Sequence, residues 1–204
     1  MLNFKTALYL MALSLALLTQ SARADEGDFL NKDNWEGLDK YWTFDGKTIV
    51  GKTLEDPKFN TFLCSKQKYT DFELGFQVKL LGKTGNSGVQ IRSEIVDKAK
   101  FVVKGPQADM GAMYWGSLYG EKMKEGMLKA ANKEDVAKLL KKDEFNDYHI
   151  KVVGKHVTIK LNGKTMVDQD FEPLPDDGII AWQIHAGQPM EVTFKDIKFT
   201  NLKK

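Results

Sequence analysis

HVTIKLNGKTMVD, His156 to Asp168, decides the fold class. Val157, Ile159 and Leu161 alternate with His156, Thr158 and Lys160, the two-residue period of a strand with one buried face. The run then meets Asn162-Gly163, the pair best suited to a two-residue turn with positive φ, and resumes at Lys164. The same period recurs in DFELGFQVKLL, where Phe72, Leu74, Phe76, Val78 and Leu80 share one face. EVTFKDIKFTNL repeats it with Val192, Phe194, Ile197 and Phe199, and the step from Phe194 to Ile197 predicts a bulge near Lys195-Asp196. One stretch differs. NKEDVAKLLKKDEF offers Asn132 as a cap, Glu134 and Asp135 in the first turn, and lysines toward its end. It predicts a short helix near 132–143, lying as a flap across one edge. Strands separated by turn signals, with one stray helix, predict an all-β fold, a β-sandwich.

The first residues stand apart from this pattern. Lys5 supplies a charged start, Ala7 to Leu18 an apolar run short for a bilayer span, and Ala22-Arg23-Ala24 an A-x-A end. Residues 1–24 therefore read as a signal peptide, with 25–204 as a single domain exported to the periplasm or secreted. The chain carries 30 Lys and Arg against 28 Asp and Glu, a formal net charge of +2. Removing Lys5 and Arg23 leaves a balanced chain, which gives no electrostatic reason to expect nucleic acid or, after cleavage, a membrane as partner. One cysteine, Cys64, excludes an internal disulfide and reads as a small buried side chain.

The polar faces of most strands carry the mixture of Lys, Glu, Asp and Thr expected of a solvated sheet. Three stretches differ. In SGVQIRSEIV, alternation puts Gln90, Arg92 and Glu94 on one face, opposite Val89, Ile91 and Ile95. In GIIAWQIHAG, Ala181, Gln183 and His185 alternate with Ile180, Trp182 and Ile184. In PQADMG, Gln107 and Asp109 point the same way. Were these strands neighbours, their polar faces would merge beside Trp115, Tyr119 and Glu121, in a stretch rich in glycine. Planar amides, a guanidinium and carboxylates suit paired hydrogen bonds to sugar hydroxyls, and aromatic rings suit the apolar face of a pyranose. Glu94, Asp109 and His185 would also suit a divalent metal ion, as oxygen and imidazole ligands. The plainer account of Arg92 and Glu94 is an ordinary surface ion pair.

NSGVQIRSE (Asn86 to Glu94), GPQADMG with YWGSLYGE (Gly105 to Glu121), DYHIKVVGKHVTIKLNG (Asp147 to Gly163) and GIIAWQIHAGQPMEVTFKDIKF (Gly178 to Phe199) occur in that order. Together they resemble the 3-keto-disaccharide hydrolase domain family, from Trp35 and Trp42 to the last strand. The resemblance implies a jelly-roll sandwich of the concanavalin A-like lectin/glucanase type, export, and cleavage of glycosides whose sugar has been oxidised to a ketone at C3. Some branches of the family carry a glutamate where this chain has Gln107, which would shift its duty here to Asp109 and Glu94.

A C3 ketone acidifies the proton on C2; a base removes it, the enolate expels the group at C1, and water can then add. That route requires a tuned base, positive charge at the enolate oxygen and a proton for the leaving oxygen. The expected parts are His185 or Glu94 as base, Arg92 or a metal at the enolate, and Asp109 orienting His185 or holding the metal. Asn86, Gln90, Gln107, Glu121 and Gln183 are expected at sugar hydroxyls, with Trp115 and Tyr119 as walls. Two other readings remain at this level: hydrolysis by a Glu94–Asp109 carboxylate pair, and a non-catalytic lectin-like module binding an oligosaccharide.

Overall fold

The structure, a computed structural model, describes residues 26–81 and 85–203. The signal peptide expected over residues 1–24 lies outside them. Among the described residues the chain forms two antiparallel sheets that face one another. The first contains β1 (Trp35–Glu36), β4 (Thr61–Tyr69), β6 (Asn86–Asp97), β7 (Val102–Gly111), β8 (Leu118–Glu121), β9 (Met127–Lys129) and β13 (Gly178–Ile184). The second contains β2 (Trp42–Phe44), β3 (Ile49–Thr53), β5 (Phe72–Leu81), β10 (Asn146–Val153), β11 (His156–Leu161), β12 (Lys164–Asp170) and β14 (Met190–Asn201). Their orders are β1-β4-β13-β6-β7-β8-β9 and β12-β11-β10-β5-β14-β3-β2. This is the jelly-roll sandwich that the sequence pattern and the resemblance led one to expect.

The apolar faces read from alternation meet between the sheets. Phe72, Leu74, Phe76 and Val78 of β5 are buried, as are Val157, Ile159 and Leu161 of β11. Trp182 from the first sheet packs against Phe194 and Phe76 of the second, with ring centroids 4.5 Å and 5.3 Å apart. Burying such rings stabilises the sandwich by roughly 25 cal/mol for each Å² removed from water.

Turn chemistry follows the sequence closely. Asn162 and Gly163 have φ of 48° and 82°, the two positive values that a type I′ hairpin requires. The bulge in β14 is present, with Asp196 at φ 51° and a register shift between Lys195 and Lys198. The helix α1 (Lys133–Leu139) is shorter than expected. Asn132 caps its start by accepting from the amides of Glu134 and Asp135, and Leu140 turns extended and ends it. The Asn162 side chain then donates to the Leu139 carbonyl at 2.8 Å, so the hairpin turn satisfies an orphan acceptor of the helix end.

One bulge was not expected, and it redirects the polar face of β6. Against β7, residues 90 to 94 of β6 span the same register as residues 107 to 104, one residue more than the partner strand. Against β13 the same excess falls between Gln90 and Ser93. The extra residue is Arg92, at φ 45°. A one-residue insertion reverses the alternation beyond it, so Ser93 rather than Arg92 shares the face of Gln90, their side chains meeting at 2.7 Å. Gly178 lies beneath the bulge, where a Cβ would approach the Arg92 carbonyl carbon to 2.2 Å.

Candidate functional site

Over the first sheet, the outer face divides in two. Phe62, Cys64, Val103, Ile179 and Ala181 form a small apolar cluster on one half. Cys64 is fully buried there, and desolvation pushes its thiol pKa far up, which makes it inert packing. The other half is polar and floors a cavity of about 670 Å³, within the range of small-ligand sites. Asn60, Asn86, Gln107, Asp109, Tyr119, Glu121, Gln183 and His185 line it, with Met113, Tyr114, Met127, Ala130 and Lys133 toward its mouth.

Cross-strand register builds the floor. Gln90 lies opposite Gln107, Gly88 opposite Asp109, and Ala181 opposite Gln90. Gly88 leaves room for the Gln107 side chain, to which an added Cβ would come within 2.5 Å. Gly88→Ala is therefore expected to push Gln107 out of the row and lower ligand affinity or turnover at least tenfold. Overpacking should cost about 1–3 kcal/mol as well. Urea unfolding beside a binding or activity assay separates the two effects.

Gln107 Nε2 lies 3.3 Å from Asp109 Oδ1 and 3.2 Å from Gln183 Oε1, and its oxygen meets the Gln90 amide at 2.8 Å. The opposite end of that Gln90 amide faces the Gly105 and Pro106 carbonyls, each at 3.2 Å, and these accept only, so the Gln90 nitrogen belongs there. With Gln90 so turned, Gln107 turns too and presents its oxygen to Asp109 and Gln183. A proton on Asp109 fits that arrangement, and so does a turned Gln183 amide, which brings to Gln107 the Nε2 that otherwise has no partner among the described residues. Electrostatics agrees. Burial, aided by the nearby Glu121 carboxylate, outweighs the bond from the Met110 amide and raises the Asp109 pKa to about 7.

His185 stands at the end of β13. Its Nδ1 lies 2.6 Å from the Ala186 carbonyl, an acceptor, so Nδ1 carries a hydrogen and the neutral ring has its lone pair at Nε2. Asn60 ties the neighbouring walls together, accepting from the Ala186 amide at 2.9 Å and donating to Glu121 Oε1 at 3.2 Å.

Of the expected site residues, Asn86, Gln107, Asp109, Tyr119, Glu121, Gln183 and His185 line the cavity, while Gln90 is buried beneath it and supports Gln107. Arg92 is a correction. Turned inward by its bulge and 2 % exposed, it donates to the Thr70, Gly154 and Pro175 carbonyls and pairs with Asp71 at 2.8 Å. Glu94 is another: its side chain is 68 % exposed and faces Lys104 at 3.7 Å. Neither member of the supposed Arg92–Glu94 pair reaches the cavity. Trp115 is the third in part: packed near Tyr148, it is missing from this cavity and lines the neighbouring one with Leu80 and Leu140, while the adjacent Tyr114 stays 41 % exposed at the cavity mouth. The ligand set of Glu94, Asp109 and His185 falls with Glu94, and the described residues contain no group of three His, Cys, Asp or Glu placed to hold a metal ion. The Glu94–Asp109 carboxylate pair falls for the same reason; Glu121 is the carboxylate that joins Asp109. Asn60, Tyr114, Met127 and Lys133 escape sequence reasoning because they lie in loops, a short edge strand and a helix start, where no alternation assigns a face.

Fold and cavity together define a jelly-roll sandwich of the lectin-like kind with a polar cavity on the outer face of one sheet. The chain belongs to the family of 3-keto-alpha-glucoside-1,2-lyase-like domains, whose profile matches residues 25–200. It is similar in structure to a protein of Parabacteroides distasonis ATCC 8503 provisionally named a glycosyl hydrolase: 22% identity, TM-score 0.63, covering 84% of this chain and 95% of the other. A second such protein from the same organism gives 19% identity and a TM-score of 0.59, covering 84% and 89%. The carbohydrate-binding module CBM66 of Bacillus subtilis gives 14% identity and 0.58, covering 81% and 94%. At these identities the likeness concerns the fold. No curated protein matches the chain.

Proposed function

We propose that the protein cleaves 3-keto-glycosides by elimination across C1 and C2, in the cavity over Asp109. The observation that carries this reading is one cavity lined both by His185, whose Nδ1 is engaged by the Ala186 carbonyl, and by a buried carboxyl whose pKa is raised to about 7. His185 Nε2 takes the C2 proton, and the electron pair moves onto the C3 carbonyl oxygen. The enolate then re-forms the ketone as the C1–O bond breaks, and protonated Asp109 gives its proton to the leaving oxygen. Amide donors of the floor and the Lys133 ammonium offer compensation to the enolate, a duty that Arg92 cannot perform from the core. The products are a 1,2-unsaturated 3-keto sugar and a free alcohol; water adding to the double bond would complete a net hydrolysis. The family description supports elimination as the reaction class.

Turnover of methyl 3-keto-α-glucoside, followed by release of methanol with and without chelator, tests the proposal. His185→Ala should reduce kcat by about 100-fold or more, and full rate in that variant would remove His185 from the reaction. Turnover of the unoxidised glycoside instead would point to Asp109 and Glu121 as a hydrolytic pair, and binding without turnover to a lectin-like role. Export belongs to the same proposal. Protein recovered from cells should begin at Asp25.

A further inference from the structure

Three of the seven large apolar side chains exposed among the described residues, Met113, Tyr114 and Met127, stand at the mouth of the Asp109 cavity, and the other four line none of it. Their backbone is held firmly. In the turn from β7 to β8, the Tyr114 amide donates to the Gly111 carbonyl and the Ser117 amide to the Tyr114 carbonyl, each at 2.8 Å. The Gly116 amide donates to the Asp109 carbonyl at 3.0 Å, which ties this turn to the reacting carboxyl's own residue. Met127 opens β9 opposite Tyr119, a residue of the cavity wall, so the apolar rim continues that wall. Folding gains little from apolar groups left in water. A group of them at the lip of a polar cavity marks contact with an apolar part of a ligand.

We infer that Met113, Tyr114 and Met127 form the aglycone site, and that the group it takes is an apolar alcohol bearing an aromatic ring. The inference rests on the reading of the Asp109 cavity as the reacting site. The floor of amides and carboxyls suits the hydroxyls of the oxidised sugar. With that sugar on the floor, the bond broken beside Asp109 directs the aglycone toward the mouth, where two thioethers and a phenol ring meet it. Methionine sulfur packs favourably at the edge of an aromatic ring, and Tyr114 offers a second ring to it. A second sugar would instead set its hydroxyls against thioethers, which are weak acceptors and no donors. Flexible methionines fit rings of several shapes, so the rim selects apolar character rather than one particular alcohol.

The test compares benzyl with methyl 3-keto-α-glucoside. Benzyl alcohol and methanol are of nearly equal acidity, so the chemical step is matched and a difference in kcat/KM reports contact with the aglycone. Wild type should favour the benzyl substrate by about tenfold or more. The double variant Met113→Gln/Met127→Gln, similar in shape and placed on exposed positions, should cut that preference to about threefold or less. Met113→Leu/Met127→Leu should keep it, because the rim stays apolar. A wild-type preference below about threefold, or one that survives the glutamine pair, would overturn the aglycone site. So would an equal preference for isomaltose oxidised at C3 of its non-reducing ring, whose leaving group is a polar primary alcohol. Absence of wild-type turnover on all three substrates would instead sink the parent reading. The rim is then judged by methionine methyl shifts on adding benzyl or methyl α-glucoside: it stands if the benzyl glycoside alone moves Met113 and Met127, and falls otherwise.

Discussion

Asp109→Asn is expected to lose activity on a 3-keto-glycoside by about 100-fold or more while remaining folded. The amide copies the shape of a protonated carboxyl and can still donate to Gln107, but it has no proton to give to a leaving oxygen. Its effect on pH dependence is more diagnostic than its effect on rate. The Asp109 pKa is about 7 in the folded protein against an ordinary 3.8, because burial disfavours the charged form. Between those values the native state binds a proton that the unfolded state lacks. Stability is thus undiminished below about pH 4, falls as pH rises, and has lost its full amount above about pH 7. At about 1.4 kcal/mol per unit, the loss reaches on the order of 4 kcal/mol. Asp109→Asn removes this slope, so urea midpoints measured from pH 4 to 8 should flatten relative to wild type. The alkaline limb of kcat/KM near pH 7 should vanish with it. Retention of the slope, or of more than a tenth of the activity, would deny Asp109 the acid role.

Arg92→Met is expected to be the most destabilising single change described for this chain, costing about 3–5 kcal/mol. The reason lies in what the guanidinium holds. Three carbonyls, from Thr70, Gly154 and Pro175, and the Asp71 carboxylate converge on it. Thr70 and Asp71 join β4 to β5, and Gly154 joins β10 to β11, so Arg92 of the first sheet is bound to turns at the end of the second. Methionine keeps much of the apolar stem and abandons every polar partner. A pair this buried is weakly screened, so the loss should persist in high salt. Glu94→Gln is the contrast: with its side chain in solvent beside Lys104, it should move stability by no more than about 0.5 kcal/mol and leave turnover unchanged. Chemical denaturation of both variants checks the pair. Near-equal losses would mean that Arg92 is not the anchor described.

Alternation made much of the site legible. Gln107 and Asp109 share a face of β7, and Gln183 and His185 follow one another along β13, as two-residue periodicity requires. Those residues do meet, because β13, β6 and β7 are neighbours in the sheet. The same rule misplaced Arg92 and Glu94. One inserted residue reverses every later side chain, and nothing in GVQIRSE marks the insertion, because the bulge residue is an arginine at positive φ rather than a glycine. Trp115 and Tyr114 exchange roles for a related reason. In a loop no period assigns faces, and packing against Tyr148 takes the larger ring into the core.

By itself the sequence determined the sandwich, the Asn162-Gly163 hairpin, the bulge at Asp196, the capped helix and the apolar faces. Each depends on interactions between residues near one another along the chain, or on a period that local sequence displays. Only the tertiary structure decided which polar residues share a cavity and that Arg92 is an anchor. Those outcomes depend on strand order and on a single added residue of register, and both are set by how the whole core packs.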